Sequence, residues 1–242
     1  MTLARAERGS RHERFLADPV RAVLLSVGLL ALVCLAAVLV STHPPSFDER
    51  WWEWMQDIRT PVLTDIALVF NALGRGVLRA LTVAGIATVL LVGRRWASAL
   101  AFAIAESVTP LSSTLMKAVV DRPRPPDELV APSGSSFPSG HAAYAGATCV
   151  ALVLLFTAVG RRRPWWFLAA AGILTMAWSR TYLHAHWLSD VLAGSVLGIA
   201  VSLLSFAALQ LVTRRRRDRK ASAPGPARTA PLTAFPGRSS PG

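Results

Sequence analysis

The sequence predicts an all-α integral membrane protein, a bundle of six transmembrane helices with a polar site at its outer end. Three observations predict it. Of 242 residues, 52% are hydrophobic and only 17% are charged. The apolar residues come in blocks rather than in a periodic amphipathic pattern. The blocks cover 22–40, 77–93, 96–116, 142–160, 165–179 and 187–212, and each approaches the ~20 residues that an α-helix needs to cross ~30 Å of hydrocarbon.

The third observation is where the charge lies. The net charge is +12, from 26 Lys and Arg against 14 Asp and Glu. Arg5, Arg8, Arg11, Arg14 and Arg21 precede the first block; Arg94 and Arg95 follow the second; Arg161, Arg162 and Arg163 follow the fourth. Arg214, Arg215, Arg216, Arg217, Arg219 and Lys220 follow the last. With six spans all four groups fall on one face. The positive-inside rule makes that face cytoplasmic and puts both termini inside the cell membrane. A basic chain can also bind nucleic acid, but juxtamembrane placement accounts for this charge, and no nucleic-acid partner is expected.

In chain order, residues 1–19 read as a basic cytoplasmic lead-in, with Asp18-Pro19 starting the first helix. His43-Pro44-Pro45 breaks the run after it. Trp51, Trp52 and Trp54 suit an interfacial belt, and the apolar stretch 62–73 is too short to span. It is expected to lie as a helix at the outer surface, ended by Gly74-Arg75-Gly76. The third span carries Glu106 at membrane depth, where a carboxylate is costly; it is expected protonated or hydrogen-bonded to a neighbouring helix. Prolines 123, 125, 126, 132 and 138 exclude a continuous helix from the long loop 118–140. Residues 20–212 form the membrane domain. Residues 213–242, basic and then rich in Pro, Gly and Ser, read as a disordered tail. Cys34 and Cys149 sit inside apolar blocks, without metal-ligand or disulfide spacing, and read as small core residues.

Three polar clusters interrupt this apolar background: Lys117 with Arg124-Pro125; Pro138-Ser139-Gly140-His141; and Ser179-Arg180, His186 and Asp190. On a six-span topology they share the face opposite the arginine groups. Lys117, Arg122, Arg124 and Arg180 break the positive-inside trend there, and an anionic ligand supplies a reason. Arg as a fork and Lys as a point charge can surround a tetrahedral oxyanion. The Ser139 hydroxyl and the Gly140 N–H, at a helix N-terminus, add short-range donors.

His186 and Asp190 stand four apart. If the last helix has begun by His186 they share a face, and Asp190 can hold one imidazole nitrogen while the other points outward as a nucleophile. His141 remains to protonate the leaving oxygen. The set describes phosphoryl transfer through a phosphohistidine. It offers no metal cage, because carboxylates are few and cations many. His184 reads as a lining or interfacial residue. Arg122, between Lys117 and Arg124, reads as a solvated or headgroup contact.

In order and spacing these residues resemble the signature of the type 2 phosphatidic acid phosphatase superfamily: Lys-x6-Arg-Pro, Pro-Ser-Gly-His and Ser-Arg-x5-His-x3-Asp. The resemblance implies six spans and a metal-independent lipid phosphatase without cofactor. His186 would be the nucleophile, Asp190 its orienter and His141 the acid. Lys117, Arg124, Ser139, Gly140 and Arg180 would hold the phosphate. The expected substrate is a lipid phosphate or diphosphate of the outer leaflet. A polyprenyl diphosphate leads, with phosphatidate and phosphatidylglycerol phosphate as alternatives, and a non-catalytic lipid-binding protein is the alternative of another class.

Overall fold

The computed structural model describes residues 18–40, 43–131 and 134–222. Among them it is all helical: α1 (Pro19–Leu39), α2 (Ser46–Asp57), α3 (Pro61–Leu73), α4 (Gly76–Val92), α5 (Trp96–Val120), α6 (Gly140–Phe156), α7 (Arg163–Tyr182) and α8 (Leu188–Ala221), with one 3-10 turn at Val159–Arg161. Local chemistry starts several of them. Asp18 caps α1, its carboxylate accepting from the Val20 N–H at 3.1 Å, with Pro19 at the first helical position. Thr60 caps α3 the same way, followed by Pro61. Expected breaks hold at His43-Pro44-Pro45 and at Pro123, Pro125, Pro126 and Pro138.

α8 is the central helix. It crosses α6 at backbone contact, because a Cβ on Gly198 would run into the Ala143 carbonyl and one on Gly194 into that of Ser139. Such small-residue seams let helices pack where lipid supplies no hydrophobic drive between them. α1 lies along the other side of α8 through Val33, Val40, Leu197 and Val201. α5 closes the bundle with Phe102 and Ala105 buried. Outward faces carry Val20, Leu24, Leu81, Val89, Leu100, Leu115, Phe167 and Leu174, all exposed. Such an apolar coat on helices whose backbone groups bond internally is what a bilayer requires. Cys34 belongs to that outward coat rather than to the core.

Length and apolarity carry three spans by themselves: Pro19–Leu39, Trp96–Val120 and Leu188–Arg216. α3 and α4, joined across Gly74-Arg75 at a bend of 56°, make a fourth if counted together. α6 is apolar but has only 17 residues, and α7 carries arginine at both ends. The last helix continues to Ala221, past the expected end of the membrane domain at 212. The expected N-terminal segment up to Ala17, and the tail from residue 223 onward, lie outside the described residues.

The tryptophan segment is more than an anchor. Residues 46–57 fold as α2, which turns Met55 and Asp48 inward and leaves Trp54 half exposed. Trp52 donates its indole N–H to the Pro126 carbonyl at 3.4 Å. α2 therefore lies over the loops that end the bundle.

Candidate active site

At the end where α5, α6 and α7 meet the α3–α4 corner lies a cavity of about 350 Å³. Lys117, Arg124, Gly140, His141, Arg180 and His186 all line it, so six of the eight expected site residues share one space. Arg75 and Arg79, which the motif does not contain, line it too. Among the described residues no carboxylate reaches its wall.

The first cluster shapes the loop as well as the cavity. Lys117, in the last turn of α5, donates to the carbonyls of Ser135 and of Ser136, the latter at 3.3 Å. Arg124 donates from Nε to the Gly134 carbonyl at 2.9 Å, from Nη2 to that of Ser135 at 3.1 Å and from Nη1 to that of Ala185. Its Nε also stands 4.0 Å from Glu128. Burial holds the Arg124 guanidinium below its ordinary value, with Glu128 opposing.

In the second cluster Ser139 caps α6; its hydroxyl accepts from the Ala142 N–H at 3.5 Å, while its own N–H donates to the Asp190 carbonyl at 3.0 Å. Ser139 is fully buried behind the wall rather than on it. His141 Nε2 lies 3.2 Å from the Asn71 carbonyl at the end of α3, and Gly74 passes so close that a Cβ would strike the imidazole. Arg180, only 2% exposed, donates to the Asn71 side-chain oxygen. Asn71 thus meets both His141 and Arg180, a role that nothing in its sequence context announces.

The third cluster departs from expectation in one respect. α8 begins at Leu188, so His186 precedes the helix and shares no helical face with Asp190. The two meet through the capping turn instead. Asp190 accepts from the Trp187 N–H at 2.9 Å, a capping box, and its Oδ2 lies 3.7 Å from His186 Nδ1. That leaves Nε2 for the cavity. Burial pushes the His186 imidazole down to about 3, the nearby Asp190 carboxylate opposing. It is therefore an uncharged ring with a free lone pair.

Arg122 is not a solvated or headgroup contact. It is 2% exposed and bridges two buried carboxylates, donating to Asp190 Oδ1 from Nη1 and to Asp48 Oδ2 from Nη2 at 2.8 Å. Asp48 also accepts from the Ser189 N–H at 2.8 Å and the Ser189 hydroxyl at 2.6 Å. Ser136 donates to Asp190 Oδ2. This network joins α2, the 121–139 loop and the start of α8, and it holds Asp190 on every side. His184 is buried against Trp52, ring centroids 5.2 Å apart, and does not line the cavity. Glu106 meets the expectation of a neighbouring-helix bond: the Thr148 hydroxyl donates to Oε1 at 2.7 Å.

The chain is similar to several known proteins. Among curated relatives, the lipid A 1-phosphatase of Porphyromonas gingivalis is 35% identical over 83 residues, 34% of this chain and 18% of that protein. The undecaprenyl-diphosphatase of Sulfolobus acidocaldarius is 36% identical over 75 residues, 31% of this chain and 34% of that protein. The chain thus spans about a third or less of the length of these curated relatives. The crystal structure of a transmembrane PAP2-type phosphatidylglycerolphosphate phosphatase from Bacillus subtilis superposes with a TM-score of 0.70 at 25% identity, covering 78% of this chain and 98% of that one. Aquifex aeolicus LpxE shares the fold, with a TM-score of 0.58 at 19% identity over 69% of this chain and 98% of its own. The pattern of the PAP2 superfamily matches residues 94–214, half of the chain, and the protein is a member of that superfamily.

Proposed function

We propose that this protein is a membrane lipid phosphatase that removes a terminal phosphate through a phosphohistidine on His186. The observation that carries the reading is one cavity with two imidazoles, three motif cations and no carboxylate. Lys117, Arg124 and Arg180 neutralise the phosphoryl oxygens, with the Gly140 N–H at the start of α6 as a further donor. Ser139 supports the same group through the helix start it caps. His186 Nε2 attacks phosphorus, and Asp190 stabilises the imidazolium formed as the N–P bond appears. Burial and the Arg180 charge push the His141 imidazole down to about 3, and the bound phosphate anion offsets them so that the ring carries a proton. His141 gives that proton to the leaving oxygen as the O–P bond breaks, then takes one from the water that hydrolyses the phosphohistidine. No step calls for a metal, since the cations already balance the charge.

Within this class the reading favours a polyprenyl diphosphate of the outer leaflet. The arginine groups orient the six-span bundle with both termini cytoplasmic and the cavity outward in the cell membrane. A matched relative is also named for undecaprenyl diphosphate. Phosphatidylglycerol phosphate is the second reading, favoured by the name of the Bacillus subtilis neighbour.

The test is turnover by purified protein on farnesyl diphosphate, phosphatidate and phosphatidylglycerol phosphate, with and without EDTA. We expect phosphate release that survives EDTA, is inhibited by vanadate, and is lost in His186→Ala. Release that persists in His186→Ala, or that chelation abolishes and magnesium restores, would overturn the assignment.

A further inference from the structure

The cavity holds two cations beyond the motif's three, and they stand on one side of it. Arg75 follows Gly74, whose backbone lies against the His141 ring. It lines the same cavity as His141 and Arg180. Arg75 precedes α4, and Arg79 lies in the first turn of that helix; both line the cavity. The Arg79 guanidinium sits 4.9 Å above the Tyr144 ring, and its Nη2 donates to the Glu106 carbonyl at 3.5 Å. That carbonyl is free because Pro110, four residues on inside α5, has no N–H to give it. The scaffold therefore holds Arg79 by one edge, and a guanidinium has five N–H donors. An arginine in the first turn of an otherwise apolar helix, turned to a cavity, is costly without a ligand.

Their side of the cavity is the informative part. In an in-line displacement the nucleophile and the leaving oxygen stand on opposite sides of phosphorus. With His186 attacking and His141 protonating the leaving oxygen, the group beyond His141 is the leaving group. Phosphatidate or a prenyl monophosphate leaves as a neutral alcohol, for which two arginines have no use. Phosphatidylglycerol phosphate leaves as an alcohol whose remaining phosphodiester charge is a glycerol away from the departing oxygen. A diphosphate leaves as a phosphomonoester, which carries negative charge.

We propose that Arg75 and Arg79 form a second anion subsite that holds the non-transferred phosphate of a lipid diphosphate. The proposal rests on the roles given to His186 and His141 above. The bond formed is His186 Nε2 to the terminal phosphorus; the bond broken joins that phosphorus to the bridging oxygen. The bridging oxygen takes the His141 proton and departs with the lipid monophosphate. Water then hydrolyses the phosphohistidine to inorganic phosphate and returns a proton to His141. A phosphate in a neighbouring anionic lipid headgroup has the same chemistry, and the test separates the two.

The experiment compares kcat/KM for farnesyl diphosphate and farnesyl monophosphate in detergent micelles, with and without added phosphatidylglycerol. The variants are Arg75→Gln, Arg79→Gln, Arg75→Lys and Arg124→Gln. Loss of one charged hydrogen bond should lower the diphosphate-to-monophosphate ratio about tenfold in each of the first two. Arg75→Lys should recover part of that ratio. Arg124→Gln, which weakens the site for the transferred phosphate, should lower both substrates and leave the ratio within about twofold. A ratio unchanged in Arg75→Gln and Arg79→Gln overturns the subsite. So does a loss that is equal on both substrates and present only with phosphatidylglycerol, which would assign the pair to a lipid headgroup. If Arg79→Gln does not fold, Arg75→Gln, altered at an exposed corner, decides alone. Wild-type hydrolysis of the monophosphate but not the diphosphate removes the subsite and keeps the phosphatase. Activity that survives His186→Ala removes both.

Discussion

His184 and His186 flank Ala185 in one loop, yet only one faces the cavity. Burial pushes both imidazoles down, His184 to about 4 with the Arg59 charge adding to it, His186 to about 3. The unfolded chain binds these protons near the ordinary value of about 6.5. Their contribution to stability is therefore complete above that pH and is lost as pH falls toward the folded values. The slope can reach about 1.4 kcal/mol per pH unit for each ring. His184→Asn isolates one of them, since Asn tolerates the positive φ of 52° at that position. The melting temperature in detergent should fall less between pH 7 and pH 5 in this variant than in wild type, and equal falls would contradict the buried neutral ring. The His186–Asp190 proximity was legible from a spacing of four, but for the wrong reason: the chain turns into the helix through a capping box, which brings the two residues together before any helical face exists. Asn71 and Ser136 were illegible, because a lone amide or hydroxyl gains its meaning only from what faces it.

Between elements, the bridge from Asp48 through Arg122 to Asp190 ties α2 and the 121–139 loop to the start of α8. Removing the arginine leaves two buried carboxylates facing each other, and loss of one partner of such a pair costs about 3–5 kcal/mol. Arg122→Met should accordingly lower the melting temperature by several degrees, while Asp48→Asn, which keeps a hydrogen-bond acceptor, should lower it less. The reverse order would show that the arginine is held by something other than its carboxylates. The helices themselves were readable from apolar blocks, Pro breaks and caps at Asp18 and Ser139. α2 was not. SFDERWWEWMQD has too few apolar residues for a span, and its tryptophans suit an interface whether or not it is helical. What makes it part of the site's support is Asp48, whose partner lies far along the chain.

For the molecule as a whole, the described arginine groups at 94–95, 161–163 and 214–219 stand at the helix ends opposite the cavity, and that separation was visible in the sequence as charge placement. Single cysteines at Leu129 and Ser222, in a background without Cys34 and Cys149, should divide on labelling of intact cells with an impermeant thiol reagent. Reaction at Leu129 alone is the expected result; reaction at Ser222 alone would invert the topology and exclude an outer-leaflet substrate. The number of spans was less legible, since α6 has only 17 residues and α7 carries arginine at both ends, so length and apolarity alone carry three spans, or four with the bent α3–α4 pair. The α6–α8 seam sets a final constraint. Ser139 and Asp190 stand at the end of a crossing where even a methyl group on Gly194 or Gly198 collides with the facing backbone. The residues proposed to support the chemistry are thus anchored where substitution is least tolerated, whereas Arg75 sits at an exposed corner. On the proposed roles, changes at that corner should alter which headgroup is accepted while the packing behind His186 and Asp190 stays as it is.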